Sequence, residues 1–281
     1  MAKHTMIGFK AYEELEFSDD FMFGKVMEDL ELCHDVLECL LQRKIGKIVE
    51  ADFQKEYKFT SDGKPIRMDL FTRAGNEVFD SEVQNLNKKS IESLELPKRS
   101  RFYQSSIDAD HMKKKYSYKC LPEASILFIC TFDPFGKALG QYTFRERCVE
   151  DDELYLEDGT TKIFYNCTYK GADIPDDLRK LYDYMDTGKT GNILTERIND
   201  AVKKARSIEE WRSVYVKEMV LLMDAREEGR EEGREEGREE GREEGREEER
   251  KNTEVERKRA EVAEARIREL EAQLAAISGM T

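Results

Sequence analysis

Apolar positions recur at helical spacing through residues 18–43. There Phe21, Phe23, Val26, Met27, Leu30, Val36, Leu37, Leu40 and Leu41 follow Ser18-Asp19-Asp20, a cluster suited to capping a helix. The pattern then changes to that of strands. Residues 47–59 read as one strand, Ser61-Asp62-Gly63-Lys64 as a turn, and residues 65–73 and 76–84 as a hairpin about Ala74-Gly75-Asn76. A charged helix over 97–118 is opened by Pro97. The run Ala124–Phe132 is apolar on both parities, as a central strand buried on both faces requires, and it stops at Asp133-Pro134-Phe135-Gly136. Further strands are predicted at 140–148 and 161–169, with Asp158-Gly159 as a turn. The order helix, three strands, helix, strand predicts an α/β fold, a mixed sheet flanked by helices.

From Pro175 the pattern turns helical, with helices predicted over 175–187, 192–205 and from 207 onward. Leu178, Leu181, Tyr182 and Met185 form one apolar stripe; Trp211, Val214, Tyr215, Met219 and Leu222 form another. Both are expected to pack against the sheet domain. Beyond them Glu-Glu-Gly-Arg repeats five times from Glu227 to Arg246. A four-residue period makes every (i, i+4) pair identical, so Glu faces Glu and Arg faces Arg, and such pairs repel. Each glycine adds a helix penalty of about 1 kcal/mol relative to alanine. The segment is therefore expected to form only a weak helix and to act as a linker. Ala260, Ala263, Ile267, Leu270, Leu274 and Ile277 then keep an alternating three- and four-residue spacing, the seam of a short coiled coil that could pair with a second copy of the chain. The expected organisation is an α/β domain over 12–170, a helical extension over 171–225, the repeat at 226–250 and a coiled coil at 251–281.

Composition modifies this picture in two places. The formal net charge of −14 argues against a protein that coats nucleic acid indiscriminately. Residues 226–250, with seven Arg and thirteen Glu, supply −6 of it, so the domain itself is less acidic than the average suggests. No apolar run approaches the roughly 18 residues that span a bilayer, so no membrane partner is expected. The N-terminal residues lack the apolar core of a secretory signal. Cysteines 33, 39, 120, 130, 148 and 167 form no CxxC, and Cys33, His34 and Cys39 match no standard zinc spacing. Reduced, mostly buried thiols in a cytoplasmic protein are expected.

The candidate chemistry lies in the hairpin. Arg67-Met68-Asp69 sits in one predicted strand and Glu82-Val83-Gln84 in the next. Folding about the turn places Asp69 opposite Ser81 and beside Glu82, while alternation points Glu82 and Gln84 the same way. Two carboxylates and an amide on one patch can hold a hard divalent cation and an attacking water.

With Asp20-Phe21-Met22-Phe23-Gly24-Lys25 before these strands and Arg101-Phe102-Tyr103 after them, the chain resembles the PD-(D/E)XK nuclease superfamily. It resembles most closely the transposase-like branch that includes the recombination-promoting nucleases of bacteria. The resemblance extends more weakly through Phe132–Gly136 to the Glu- and Gly-rich tail. It implies a restriction-endonuclease-like αβββαβ core and a bacterial cytosolic protein. It further implies a Mg²⁺-dependent DNA endonuclease with little sequence preference, linked to recombination or transposition. On this resemblance Asp69, Glu82 and the Val83 carbonyl would hold Mg²⁺ or another divalent cation, and Gln84 stands where the superfamily usually carries lysine. Glutamine is habitual in this branch, but it is neutral and can only orient water by hydrogen bonds, so activation of water falls to the metal.

The helix at 97–118 carries Lys98, Arg99, Arg101, Lys113, Lys114 and Lys115, with Lys119 just beyond. It is the natural phosphate track, or an ordinary solvated face. Arg101 and Tyr103 stand nearest the predicted site; Tyr103 could instead be core. Asp20 fits either a helix cap or the metal site, and Lys25 either a phosphate contact or a solvated charge. His111, the lone histidine here, has no partner for catalysis. Two other classes fit the same sequence: a catalytically weak or inactive DNA-binding protein of a mobile element, and a coiled-coil interaction protein whose α/β domain is scaffold.

Overall fold

The structure, a computed structural model, describes residues 10–57, 66–85, 95–112 and 117–278, with the side chains of residues 57, 66 and 272–278 outside that description. The predicted turn at 61–64, Lys113, Lys114, Lys115 and the side chains of Leu274 and Ile277 therefore lie outside the described residues. The chain divides into two compact units, Met1–Val216 and Lys217–Thr281. Among the described residues no helix is long and apolar enough to cross a membrane.

The first unit is an α/β fold built on one six-stranded mixed sheet. Strands β1 (Ile48–Tyr57), β2 (Ile66–Ala74), β3 (Glu77–Gln84), β4 (Glu123–Cys130), β5 (Gln141–Phe144) and β6 (Thr160–Asn166) lie in the order β1-β2-β3-β4-β6-β5. The first three form an antiparallel meander, β3, β4 and β6 run parallel, and β5 returns antiparallel to β6. Helix α3 (Leu96–His111) lies on the crossover between the parallel pair β3 and β4, a connection too long for a hairpin. As its two-sided apolar pattern predicts, β4 is central and almost wholly buried. Its Phe128 stacks on Phe164 of β6 at 5.0 Å between ring centroids, the middle of a core that also takes in Phe71, Ile107 and Ile126.

Residues 18–43, predicted as one helix, form two: α1 (Asp20–Met27) and α2 (Leu30–Leu41). The Asp29 carboxylate accepts the amide hydrogens of Glu31 and Leu32, each at 3.1 Å, and so caps the second helix and divides it from the first. Gly24 faces the Phe53 ring of β1, and any Cβ at that position would overlap the ring. Helix α3 ends seven residues before its predicted limit of 118: the Met112 amide bonds back to the Asp108 carbonyl, and a His111 ring nitrogen lies 2.8 Å from the Ile107 carbonyl. Strand β6 stops at Asn166, whose side-chain oxygen takes the Thr168 amide at 3.1 Å and turns the chain.

Helices α4 (Asp176–Thr187) and α5 (Ile193–Arg206) pack within the first unit, α5 against both α1 and α2. Leu178, Leu181, Tyr182 and Met185 are buried, as their stripe predicts, and the Tyr182 hydroxyl donates to the Gly140 carbonyl at 2.9 Å. From the second stripe Tyr215 is buried while Val214 stays exposed. Helix α6 spans Glu209–Ser278, so the repeat is helical rather than a break between helices. Every side chain of Glu227–Arg246 is exposed, and among the described residues no ion pair forms within that segment. Its helix carries only the backbone ladder and whatever weak Glu–Arg attraction operates at (i, i+3). Ala260, Ala263, Ile267 and Leu270 of the predicted seam are likewise exposed.

Candidate active site

Register sets the geometry of the hairpin. Ala74 pairs with Glu77, leaving Gly75-Asn76 as a two-residue loop with Gly75 at φ 62°. Leu70, rather than the predicted Asp69, therefore faces Ser81, and Phe71 faces Asp80. The correction is one residue, and it is decisive. Residues directly paired across an antiparallel ladder share a face, so the predicted register would have sent Asp69 and Glu82 to opposite sides of the sheet. The observed one brings them together.

Regular pairing of β2 with β3 ends at Leu70–Ser81, and two side chains then bridge the strands. The Asp69 amide donates to Glu82 Oε1 at 2.8 Å, and the Val83 amide donates to Asp69 Oδ2 at 3.1 Å. Each carboxylate thus satisfies a backbone donor that the broken ladder leaves open. Asp80, Glu82 and Gln84 follow as alternate residues of β3, all buried. Asp69 keeps part of its surface open to solvent, although protein atoms crowd its carboxyl.

Arg99, one turn into α3, closes the group. Its guanidinium donates to Gln84 Oε1 at 3.0 Å, Glu82 Oε2 at 3.1 Å and the Tyr103 hydroxyl at 2.9 Å, and lies over the rings of Tyr103 and Phe128. Gln84 turns its amide nitrogen to the Val83 carbonyl at 2.9 Å. Burial, then the Glu82 charge, then that of Asp20 push the Asp69 carboxyl well above the ordinary range. Burial and the Asp69 charge do the same to Asp80, and burial and Asp80 to Glu82. Burial works against the charge of Arg99, but Tyr103, Glu82 and Asp69 outweigh it and hold the guanidinium above its usual value. Tyr103 is pushed up to about 12, chiefly by burial.

Not every predicted residue joins this group. Asp20 is the first residue of α1, exposed, and its carboxylate accepts the Phe21 amide at 2.7 Å, while its charge reaches Asp69. The N-cap of α1 is Asp19, whose side chain makes no capping hydrogen bond, so Asp20 is not the predicted cap but the residue after it. Lys25 pairs with Glu28 at 2.6 Å and lies among the rings of Phe21, Phe53 and Trp211. Lys98 is exposed beside Glu95, and Arg101 is exposed on the side of α3 turned away from Arg99 and Tyr103. Helical spacing of four separates Arg99 from Tyr103, so that periodicity favours Arg99 over Arg101. Asp80 is not among the predicted site residues, although strand alternation aligns it with Glu82 and Gln84.

Among the described residues no group of three or more His, Cys, Asp or Glu encloses a ready-made metal site. The Asp69 and Glu82 carboxylates meet where β2 and β3 part, and with the adjacent Val83 carbonyl they are oxygen donors of the kind that suits a hard cation keeping several waters. Three buried or crowded carboxyls face one guanidinium, and a divalent cation would balance the remaining charge. The residues present therefore fit the group. Cys33 and Cys39, by contrast, are buried thiols pushed up to about 12 by burial. Surface concavities lie elsewhere, one of about 870 Å³ lined in part by Glu38, Lys44, Asp176 and Lys180. There the charges pair with one another, Glu38 with Lys44 at 2.6 Å and Asp176 with Lys180 at 2.5 Å, and leave no comparable deficit. Comparison of the chain with protein-family models, curated proteins and solved structures finds no match.

Proposed function

We propose that this protein is a Mg²⁺-dependent DNA endonuclease of the PD-(D/E)XK type, with a restriction-endonuclease-like core and little sequence preference. The observation that carries the reading is the juxtaposition of Asp69 and Glu82 across the parted ends of β2 and β3, with Gln84 and Arg99 beside them. The oxygen donors named above would hold the cation. When bound, it supplies positive charge that lowers the pKa of a water molecule and offsets charge on phosphate. Gln84 orients the attacking water through its amide. The water oxygen forms a bond to phosphorus as one phosphodiester P–O bond breaks, leaving a phosphate end and a hydroxyl end, and the displaced proton returns through solvent to the leaving oxygen. Arg101 and Lys119, both exposed, supply backbone contacts to DNA. Purified protein should nick plasmid DNA in Mg²⁺, and Asp69→Ala or Glu82→Ala should abolish nicking. Cleavage by either variant at the wild-type rate sinks the proposal.

One observation favours a second reading, a DNA-binding protein of a mobile element with little or no turnover. Glu82 accepts through both oxygens, from the Asp69 amide and from Arg99, Asp69 Oδ2 accepts the Val83 amide, and the Val83 carbonyl accepts from Gln84, so all three donors are already engaged. That reading expects salt-sensitive DNA binding without metal-dependent cleavage.

A further inference from the structure

We propose that Arg99 supplies the fixed positive charge at the reacting phosphate that a lysine at position 84 would otherwise provide. The inference rests on the nuclease reading and deepens it. Gln84 carries no charge, yet its side-chain oxygen accepts from the Arg99 guanidinium at 3.0 Å, so a cation from the next helix stands against the position where lysine would end. The same guanidinium reaches Glu82 at 3.1 Å and Tyr103 at 2.9 Å, which fixes its plane. About one third of the Arg99 side chain remains exposed, at 33%, while Glu82 behind it is 1% exposed. The arginine thus has one side in the site and another open to an arriving anion.

Guanidinium chemistry sets what Arg99 can do. Five N–H donors in a rigid fork suit a phosphate, and the group does not deprotonate in proteins. It therefore acts by holding phosphate and countering charge that develops in the transition state, and it takes no proton from water. Lys98 and Arg101, its neighbours in sequence, are exposed, and Lys98 pairs with Glu95 instead.

The test is cleavage of plasmid DNA by Arg99→Gln and Arg99→Ala, each alone and combined with Gln84→Lys, with Mn²⁺ binding and thermal unfolding measured on every variant. Arg99→Gln keeps amide donors near Glu82 and Gln84 but removes the charge. Loss of one preorganised donor to a developing charge lowers kcat by about 100-fold or more, and that loss is expected for both single variants. Adding Gln84→Lys should recover at least about a tenth of the wild-type kcat, because it returns a cation to the same place. Mn²⁺ binding should persist throughout. Single variants within twofold of wild type, or double variants no faster than the singles, overturn the proposal. If neither single variant folds, the arginine is structural and the proposal falls as well. Wild-type protein that does not cleave at all overturns the nuclease reading and this inference together. Cleavage that needs Asp69 and Glu82 but not Arg99 overturns the inference alone.

Discussion

Neither carboxyl oxygen of Asp80 accepts a hydrogen bond from any described donor, although the side chain is wholly buried, and the group beside it is the Glu82 carboxyl. Two carboxyls in contact can hydrogen-bond only while one keeps its proton. Asp69, Asp80 and Glu82 all have folded-state pKa values raised, first by burial and then by one another. The sign follows directly. A carboxyl with a raised folded pKa leaves the native state holding more protons than the unfolded chain, so stability falls as pH rises above the ordinary carboxylate range. In EDTA the first unit should melt at a lower temperature at pH 8 than at pH 5, and Asp80→Asn should flatten that slope. A calorimetric pH series on both proteins checks it, and parallel slopes would refute the assignment. Divalent cation competes with the protons for the same oxygens. Mg²⁺ should therefore raise the melting temperature more at pH 8 than at pH 5 in wild type. The same titration on Asp69→Ala should show little effect of Mg²⁺ at either pH.

Elements explain which parts of this arrangement were legible in the sequence. The strands that carry the site were readable because their patterns are strong: β4 from its two-sided apolar run, and the hairpin from alternation around Gly75-Asn76. The register was not, because Ala74-Gly75-Asn76 admits a three-residue turn as readily as the two-residue loop observed, and one residue inverts every side chain. Asp69, Glu82 and Gln84 were identifiable from residue type and order. Arg99 does not stand out from Lys98 and Arg101 in the sequence, because sequence proximity does not say which side of α3 faces the sheet. The division of residues 18–43 is not legible in the sequence, because Asp29 lies inside an otherwise continuous apolar period, where its cap competes with helix continuation. Asp133 has a similar lesson: its carboxylate takes the amides of Phe135, Gly136 and Ala138 and the Tyr142 hydroxyl, so Phe132–Gly136 is a loop organiser. Two substitutions test the element account. Asp29→Ala should cost about 1 kcal/mol through loss of the α2 cap. Gly24→Ala should cost about 1–3 kcal/mol by forcing α1 off the Phe53 ring. Denaturant unfolding monitored on both variants gives each number, and a neutral Gly24→Ala would mean that α1 and β1 are not packed that closely.

At the scale of the whole molecule, all residues of the candidate site lie in the first unit, so deletion of residues 226–281 should leave DNA cleavage intact; loss of cleavage would make the tail part of the activity. The tail itself is a helix whose sequence opposes it. Gly229, Gly233, Gly237, Gly241 and Gly245 have nothing within 4 Å of where a Cβ would stand, so no packing requires glycine there. Alanine at each of these sites should favour the helix by about 1 kcal/mol per site. Repulsion between like charges at (i, i+4) adds to the glycine penalty, and it is screened by salt. Backbone amides of 227–246 should therefore exchange with solvent far faster than those of α5. Exchange should slow on raising salt and slow much further in the five-alanine variant. The contrast with Ile267 and Leu270 is informative, because an apolar seam held by a second copy would protect 260–270 at high protein concentration and leave the repeat open. Slow exchange in the wild-type repeat at low concentration and low salt would overturn this account, since nothing within the segment could then supply the protection.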